Sequence, residues 1–392
     1  MTVTTIAADE LVLSGWSAAS AFGLGADRFT AGLRAGTGAV APLDRAAWPG
    51  PYDRAGLIPG FDVAGALGKK GTRSMDRATG IAIATVGMLL DEFGRDRLGE
   101  PERLGLVLGT NSGSVQSIMD FTRESLTGAK PFHVDPARFP NTVMNRAAGQ
   151  SAIWYGLKGP NTTIAGGSLT GLLALNYAVR LHRCGHGEPV LCGAVEEYSV
   201  PRGWLEWHAR SRDGVAPAGG PAPLGEGCAI FLLESHSSAL RQQRRPLAAV
   251  RGSRFLAFAD PAAVRTLLAR AVAEALAGAG LSPADVTVLA ASDSDDDFGA
   301  QEEAALADVL GPNRPTRVHC RALLGDTSAA SSAFQLAGAL AELSDRSGHS
   351  HGSGHSHGSG RSGGSERRDG IALVTGVDRD GQVGATLLGT VG

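Results

Sequence analysis

The stretch GPNTTIAGGSLTG at residues 159–171 places a short strand, a glycine turn and the start of a helix next to one another. Its β-branched run at residues 162–164 predicts a strand. The apolar residues that follow at three- and four-residue spacing predict a helix over residues 169–183. Ser168 therefore lies at the start of a helix, where free backbone amides and the helix dipole favour an anion.

Outward from this stretch, short apolar or β-branched runs alternate with longer helical runs, which predicts an α/β architecture. The predicted strands are residues 11–14, 104–108, 162–164, 190–192, 228–233, 286–291 and 371–375. The predicted helices are residues 75–93, 169–183, 262–279, 301–310 and 328–343. A strand-helix-strand set opens the chain and a comparable set begins near Leu247. We therefore expect two duplicated halves, residues 1–245 and 246–392, that are stable only when packed together.

Composition and charge exclude several classes of protein. With 392 residues, 43% of them hydrophobic, the chain is long enough to bury a sizeable core. The formal net charge is only -3 and the basic residues are scattered, so we expect no nucleic-acid partner. No apolar run approaches the roughly 20 residues that span a bilayer, and the amino terminus lacks the features of a signal peptide. The sequence predicts a cytoplasmic protein without a membrane partner.

The cysteine and histidine residues predict neither a metal site nor a cofactor site. The cysteines are widely spaced in apolar or mixed segments, which favours buried thiols over disulfides or zinc ligands. They are Cys184, Cys192, Cys228 and Cys320. Residues 347–365 consist mainly of Gly, Ser and His and predict a flexible surface loop. Its two His-Ser-His pairs leave adventitious metal binding as the alternative to a solvated spacer.

Several motifs along the chain belong together. They are RSMDR from Arg73, GLVLGTNSG from Gly105, GP at Gly159, GEGCAIFLLE from Gly225 and GAQEEAAL from Gly299. In this order and spacing, the chain resembles the condensing-enzyme branch of the thiolase superfamily along nearly its whole length. The resemblance implies an α/β, thiolase-like fold of two duplicated βαβαβαββ halves in five αβαβα layers.

The same resemblance implies a catalytic centre that this chain lacks. Condensing enzymes use a cysteine thiolate to hold the acyl chain and two histidines to stabilise the enolate formed on decarboxylation. Here the three positions carry Ser168, Ser292 and Asp326. An anionic Asp326 would repel the enolate. The VDRDG turn at residues 377–381 also replaces the family's glycine-rich FGFGG gate. We therefore expect no catalytic residue in this chain.

Ser168 has two other interpretations. Serine is favoured at helix N-caps, where it stabilises a helix by about 1 kcal/mol. It is also the nucleophile of some ketosynthase-like acyltransferases, which makes a serine-dependent acyltransferase or condensing enzyme the alternative function. That activity requires a general base beside Ser168, and we find none in the sequence.

One class of the superfamily fits a retained fold with a dismantled site. The segments GAVEE from Gly193, GWL from Gly203 and LGD from Leu324 resemble the chain length factor, or ketosynthase β subunit, of type II polyketide synthases. Ser168 departs from that class, which typically carries Gln at this position. The resemblance implies a heterodimer with a cysteine-containing ketosynthase α subunit. It also implies an acyl carrier protein that carries the malonyl units or the polyketide chain.

The resemblance further implies how such a subunit sets chain length. The acyl tunnel of the active partner would continue into this subunit, and bulky side chains would end it by excluded volume. The lining would come from residues 115–154, with five candidates. They are Gln116, Met119, Phe121, Phe132 and Phe139. An ordinary apolar interface core explains the aromatic residues equally well. A scaffold that stabilises the complex without shaping the product is the third functional interpretation.

Overall fold

The computed structural model describes residues 10–94, 97–211, 222–346 and 370–391. Its strands are β1 (Leu11–Ser20), β2 (Gly23–Leu24), β3 (Ala41–Pro42), β4 (Arg54–Gly56), β5 (Gly105–Gly109), β6 (Asn161–Ile164), β7 (Val190–Glu196), β8 (Leu224–Gly225), β9 (Gly227–Ser235), β10 (Ala248–Ala257), β11 (Val286–Ala290), β12 (Thr316–Arg317), β13 (Ile371–Asp378) and β14 (Gln382–Gly389). Its α-helices are α1 (Ala26–Ala35), α2 (Val63–Leu67), α3 (Arg77–Phe93), α4 (Val115–Thr127), α5 (Arg146–Tyr155), α6 (Thr170–Arg183), α7 (Val200–Arg210), α8 (His236–Arg241), α9 (Val264–Gly278), α10 (Asp297–Leu310), α11 (Arg321–Leu324) and α12 (Ser331–Arg346). Short 3-10 helices lie at Pro136–Thr142, Gly167–Leu169, Pro261–Ala263, Pro283–Asp285 and Ser328–Ala330.

The strands of the large sheet follow the same topology twice. Their order is β12-β11-β13-β14-β10-β1-β9-β7-β5-β6. In the first half β1 pairs antiparallel with β9, β9 pairs antiparallel with β7, and β7, β5 and β6 run parallel. In the second half β10, β14, β13, β11 and β12 repeat that pattern in that order. The halves join where Leu13 pairs with Ala248. This repeat confirms the predicted fold class, and the boundary between residues 245 and 246 stays a prediction.

Three layers of helices cover the two halves of the sheet. Residues of β9 alternate between two faces, as the two-residue period of a strand requires. Ile230 and Leu232 pack with α3 and α5, whereas Phe231 and Leu233 pack with α6 and α12. On the second half, α12 covers one face, and α9 with α10 cover the other. The helix α6, which begins just after Ser168, therefore belongs to the central layer.

The structure changes several predicted element boundaries. The strand predicted at residues 11–14 continues to Ser20, and all of β1 is buried. Helix α10 begins at Asp297 and not at residue 301, because the Asp296 carboxylate accepts hydrogen bonds from two amides of its first turn. The sequence pattern does not predict β14 or the helices α1, α4, α5 and α7. In α4 only Val115 is buried, so the other apolar residues of this amphipathic helix do not belong to the core.

The burial of the cysteines agrees with the sequence prediction at three of the four positions. Cys192, Cys228 and Cys320 are buried free thiols, as predicted, but Cys184 is exposed. The prediction of a buried thiol is therefore wrong for Cys184, which follows the last turn of α6. Within the ranges given above, no helix is long and apolar enough to cross a membrane. The loop predicted at residues 347–365, with its histidine pairs, lies outside the described residues.

Candidate functional site

A polar cavity of about 220 Å³ lies at the start of α6. Its wall includes Ser168, Ser292 and Asp326. Ser168 comes from the 3-10 turn before α6, Ser292 follows β11, and Asp326 follows α11. The structure thus brings together the three positions to which the resemblance assigns the cysteine and the two histidines of condensing enzymes.

The hydroxyl of Ser168 binds a neighbouring strand and not the helix that it precedes. Its Oγ donates a hydrogen bond to the carbonyl oxygen of Val377 at 2.8 Å. The side chain that binds the turn before α6 is that of Thr170, whose Oγ1 accepts a hydrogen bond from the amide of Gly166 at 3.0 Å. The interpretation of Ser168 as a helix N-cap is therefore wrong, since its hydroxyl is donated to β13.

A carboxylate binds the backbone amide of the same serine. The N–H of Ser168 donates to Asp378 Oδ1 at 3.1 Å. Asp378 is mostly buried, and burial raises the pKa of its carboxyl despite the amides that donate to it. Gly167 adopts a φ of 53°, and a Cβ at this residue would lie only 1.7 Å from Asp378 Oδ1. Only glycine at residue 167 therefore lets the carboxylate reach the turn.

Ser292, at the first histidine position, is bound to a buried carboxylate. Its amide donates to Glu302 Oε2 at 3.2 Å, and its hydroxyl also donates to Glu302. Thr375 Oγ1 donates to Glu302 Oε1 at 2.6 Å. Burial raises the pKa of Glu302, which is 1% exposed. Glu302 therefore holds the loop after β11 against β13.

Asp326, at the second histidine position, is the centre of an ion cluster. Its Oδ2 lies 2.5 Å from Arg210 Nη2 and 3.0 Å from Arg321 Nη1. Arg202 donates to its backbone carbonyl oxygen at 3.1 Å, and the amide of Ser328 donates to Oδ1 at 2.8 Å. Burial alone would raise the pKa of Asp326, but Arg321 and Arg210 outweigh burial and hold that pKa well below its usual range. Asp326 is therefore an anion that ties α7 to the loop after α11.

The cavity differs in its lining from the catalytic centre that the resemblance implies. The described residues that line it include neither a cysteine nor a histidine. The hydroxyl of Ser168 donates to a carbonyl oxygen, which is not a general base that would activate it. The anionic Asp326 would repel an enolate rather than stabilise it. Over the described part of the chain, no group of three or more His, Cys, Asp or Glu residues is arranged to hold a metal ion.

The five tunnel candidates lie apart from this cavity. Gln116, Met119 and Phe121 belong to α4, and Phe139 belongs to the 3-10 helix that precedes α5. The rings of Phe121 and Phe139 contact each other, with centroids 6.0 Å apart. Phe132 is 71% exposed. None of the five is among the described residues that line the cavity at the start of α6. They belong instead to an outer face of the subunit.

The sequence singles out Asp326 and the turn at residues 377–381, but it does not reveal Arg210 or the contacts that these charged residues make. Arg210 pairs with Asp326, which is 116 residues away in the sequence. Asp378 contacts Ser168 across 210 residues. No local spacing predicts such pairs. One sequence signal could have indicated the arginines. An aspartate stands at the position that the resemblance assigns to a histidine, and a buried carboxylate requires a cation or several hydrogen-bond donors nearby.

Comparisons with known proteins identify the family of this chain. The model of the N-terminal domain of beta-ketoacyl synthases matches residues 8–239. A Streptomyces halstedii protein described as a polyketide beta-ketoacyl synthase 2 is 31% identical over 324 residues, which cover 77% of each chain. A 3-oxoacyl-(acyl-carrier-protein) synthase 2 of Vibrio cholerae is 28% identical over 205 residues, 47% of this chain. That alignment spans only 48% of the Vibrio protein.

A solved structure agrees along the whole chain. The ishigamide ketosynthase/chain length factor is 39% identical, with a TM-score of 0.83 and coverage of 98% of this chain and 100% of that chain. The duplicated five-layer fold and the strand-turn-helix at Ser168 define a thiolase-like condensing-enzyme fold. The chain belongs to the beta-ketoacyl synthase family. These matches confirm the resemblance to ketosynthases and to the chain length factors of type II polyketide synthases.

Proposed function

We propose that this chain is a noncatalytic chain length factor. It pairs with a cysteine-containing ketosynthase α subunit and sets the length of a polyketide that is elongated from malonyl units on an acyl carrier protein. The cavity at Ser168 carries the proposal. There Asp378 binds the Ser168 amide, and two arginines hold Asp326 as an anion. A subunit with this cavity keeps the ketosynthase fold and leaves bond formation to its partner.

An exposed apolar surface supports a partner subunit. Nine of the eleven large hydrophobic residues that are exposed in the described chain lie between residues 119 and 205. These nine, which we call the partner face, are Met119, Leu126, Phe132, Phe139, Val143, Met144, Ile153, Trp204 and Leu205. They lie on neighbouring elements, because α4 packs against α7 and against the 3-10 helix before α5. Apolar patches of this extent are typical of protein interfaces.

The open edge of the large sheet adjoins the partner face. β6 pairs with β5 on one side and ends the sheet. Asn161 Nδ2 donates to the carbonyl oxygen of Ala148 at 3.0 Å, which holds β6 against α5, the helix that carries Ile153. An open edge presents unpaired amides and carbonyls to another strand. A second subunit of the same fold would cover the edge and the partner face together.

Chain length is expected to depend on the ring pair formed by Phe121 of α4 and Phe139 of the partner face. The Phe121→Ala variant removes one ring of the Phe121–Phe139 contact and opens space beside α4. We expect the heterodimer that carries it to make a product longer by at least about one two-carbon extension, because excluded volume ends the tunnel. Mass spectrometry of the released polyketides measures the length.

A phenylalanine in the Ser168 cavity provides the matched control. Phe298 lines that cavity and also contacts a second ring, that of Phe258. Phe298→Ala is expected to leave the product length unchanged, because no acyl chain enters that cavity. Unchanged products for alanine variants of all five tunnel candidates would overturn the length-setting role and favour the scaffold interpretation.

A basic loop beside the partner face supports the carrier protein as a second partner. Lys69, Lys70 and Arg73 are exposed, and none forms an ion pair with another described residue. The loop lies against the partner face, because Asn141 Nδ2 donates to the carbonyl oxygen of Ser74 at 2.6 Å. Free cations attract an anionic partner. The phosphate of a carrier's phosphopantetheine arm is such an anion.

Reversing the charge of this loop is expected to weaken carrier binding. For the double variant Lys70→Glu, Arg73→Glu we expect the affinity of the heterodimer for the acyl carrier protein to fall about tenfold at low salt. The difference should fade as salt screens the exposed charges. Titration by fluorescence anisotropy measures the affinity. Arg28→Glu, an exposed cation on α1, is the control, and an equal loss in both variants would contradict a specific basic site.

Co-expression with a cysteine-containing ketosynthase tests the pairing itself. A stable 1:1 complex that elongates malonyl units is expected, because the partner face needs a complementary surface. A homodimer of this chain that turns over malonyl units without any partner would overturn the proposed function and establish the serine-dependent alternative.

A further inference from the structure

The contact between Ser168 and Asp378 does more than remove a nucleophile. In acyl transfer, the oxygen of the tetrahedral intermediate needs a backbone amide beside the nucleophile. Here the amide of Ser168 already donates to Asp378 Oδ1 at 3.1 Å. A negative charge beside that amide would also repel an oxyanion or a thiolate formed at residue 168.

We propose that Asp378 is a blocking residue that occupies the oxyanion position with a carboxylate of the chain itself. Acyl transfer is then prevented in two ways. Residue 168 carries a hydroxyl in place of a thiol, and its backbone amide already donates to Asp378. This inference rests on the proposed function, in which Ser168 accepts no acyl group. It predicts that a cysteine at residue 168 reacts slowly at neutral pH until Asp378 is also changed.

The surrounding contacts fix the carboxylate in this position. The amide of Asp380 donates to Asp378 Oδ2 at 3.2 Å. The Ser168 hydroxyl donates to the Val377 carbonyl oxygen, so the end of β13 is bound to the turn through two hydrogen bonds. Gly167, with its φ of 53°, leaves space for the carboxylate.

The other charges near Asp378 are paired or lie in its own turn. Arg379 forms an ion pair with Asp296, and Asp380 adds a second negative charge to the turn. Arg210 and Arg321 line the same cavity but are paired with Asp326. Asp378 is therefore the carboxylate that directly contacts residue 168.

A cysteine reporter tests the blocking role. Ser168→Cys is prepared in a Cys184→Ser background, because Cys184 is the exposed thiol among the four cysteines and the other three are buried. Iodoacetamide then alkylates the reporter. The thiol loses its proton to solvent, the thiolate sulfur forms a bond to the methylene carbon, and iodide leaves. Peptide mass spectrometry locates the product, and the rate is followed from pH 6 to pH 10.

Removing the carboxylate is expected to make the reporter a better anion. Adding Asp378→Ala should lower the midpoint of the pH-rate profile by about one pH unit or more, and speed alkylation at pH 7 about three- to tenfold. Asp378→Asn keeps the shape and an acceptor oxygen but removes the charge, and should shift the midpoint in the same direction. Asp380→Asn removes a charge from the same turn and should leave the midpoint within about 0.3 units.

Identical profiles with and without Asp378 would overturn the blocking role. If the alanine variant does not fold, as judged by its thermal melt, the asparagine variant decides. An equal shift in the Asp380→Asn control would show a general effect of charge and would also overturn the proposal. An acyl adduct on Ser168 of the wild-type chain would instead overturn the proposed function. Failure of the blocking role and failure of the proposed function therefore give different results.

Discussion

The Asp326→Ala variant is expected to lose about 3–5 kcal/mol of its free energy of unfolding. Arg210 and Arg321 would stay mostly buried beside residue 326 without the Asp326 carboxylate, and Arg210 would keep only its ion pair with Glu206. The amide of Ser328 would also lose its acceptor. Urea denaturation followed by circular dichroism measures the loss. Asp308→Ala, which removes the exposed partner of Arg265, should leave the denaturation midpoint unchanged.

The pH dependence of this loss has a definite sign. Because the folded state holds the pKa of Asp326 below its unfolded value of about 3.9, the ion cluster stabilises the protein fully above that value. The difference between wild type and Asp326→Ala should be constant from pH 5 to pH 8 and should shrink as the pH falls below 4. A loss that is absent at neutral pH would contradict the role given to Asp326.

Restoring histidine at this position is therefore no route to activity. An imidazole in the Asp326→His variant would stand beside Arg210 and Arg321, which disfavour its protonated form. Arg210 would keep only Glu206 as an ion-pair partner, and Arg321 would keep only Asp295, 3.9 Å away. In the structure, the side chain at this position forms ion pairs with Arg210 and Arg321. We therefore expect single reversions to cysteine or histidine at these positions to leave the chain inactive.

The Ile153→Asp variant is expected to weaken pairing with the ketosynthase α subunit strongly. Ile153 is 75% exposed in the chain alone, so aspartate there should not disturb the fold. In the heterodimer the carboxylate would be buried in an apolar interface without a partner. We expect the affinity to fall at least about 30-fold. Analytical ultracentrifugation of the purified subunits measures it.

A second exposed aliphatic residue supplies the control for this variant. Leu240 is 56% exposed on α8, which packs against β9 and β1 and does not belong to the partner face. Leu240→Asp should pair with the ketosynthase as wild type does. Equal pairing by the Ile153→Asp variant would place the partner elsewhere on the subunit.

The parts of the fold that the sequence predicts depend on local patterns. The strand and helix around Ser168 follow from β-branched residues, two glycines and a 3.6-residue period within one short stretch. Helix α4 does not follow from its sequence, because it is largely exposed and its apolar residues point to the partner face. When the chain is considered without a partner, the apolar residues of α4 are interpreted as a weak core pattern.

The chemistry of the site is less predictable, for a physical reason. The sequence predicts that the three catalytic positions of the family are replaced, because the resemblance assigns each of them to a motif of this chain. What occupies the site in their place depends on contacts between distant segments, such as Arg210 with Asp326 and Asp378 with Ser168. Tertiary structure, and not spacing, brings these charges together. Five tunnel residues proposed from one segment likewise stay a prediction until a heterodimer is assayed.

One measurement tests the central claim most directly. The heterodimer is reconstituted with the Ser168→Ala variant of this chain, and the rate and length of polyketide formation are compared with those of the wild-type heterodimer. The account predicts equal rate and length, an unshifted intact mass for this chain after turnover, and complete loss of product when the cysteine of the ketosynthase α subunit is replaced. Loss of product with Ser168→Ala, together with an acyl adduct on wild-type Ser168, would contradict it.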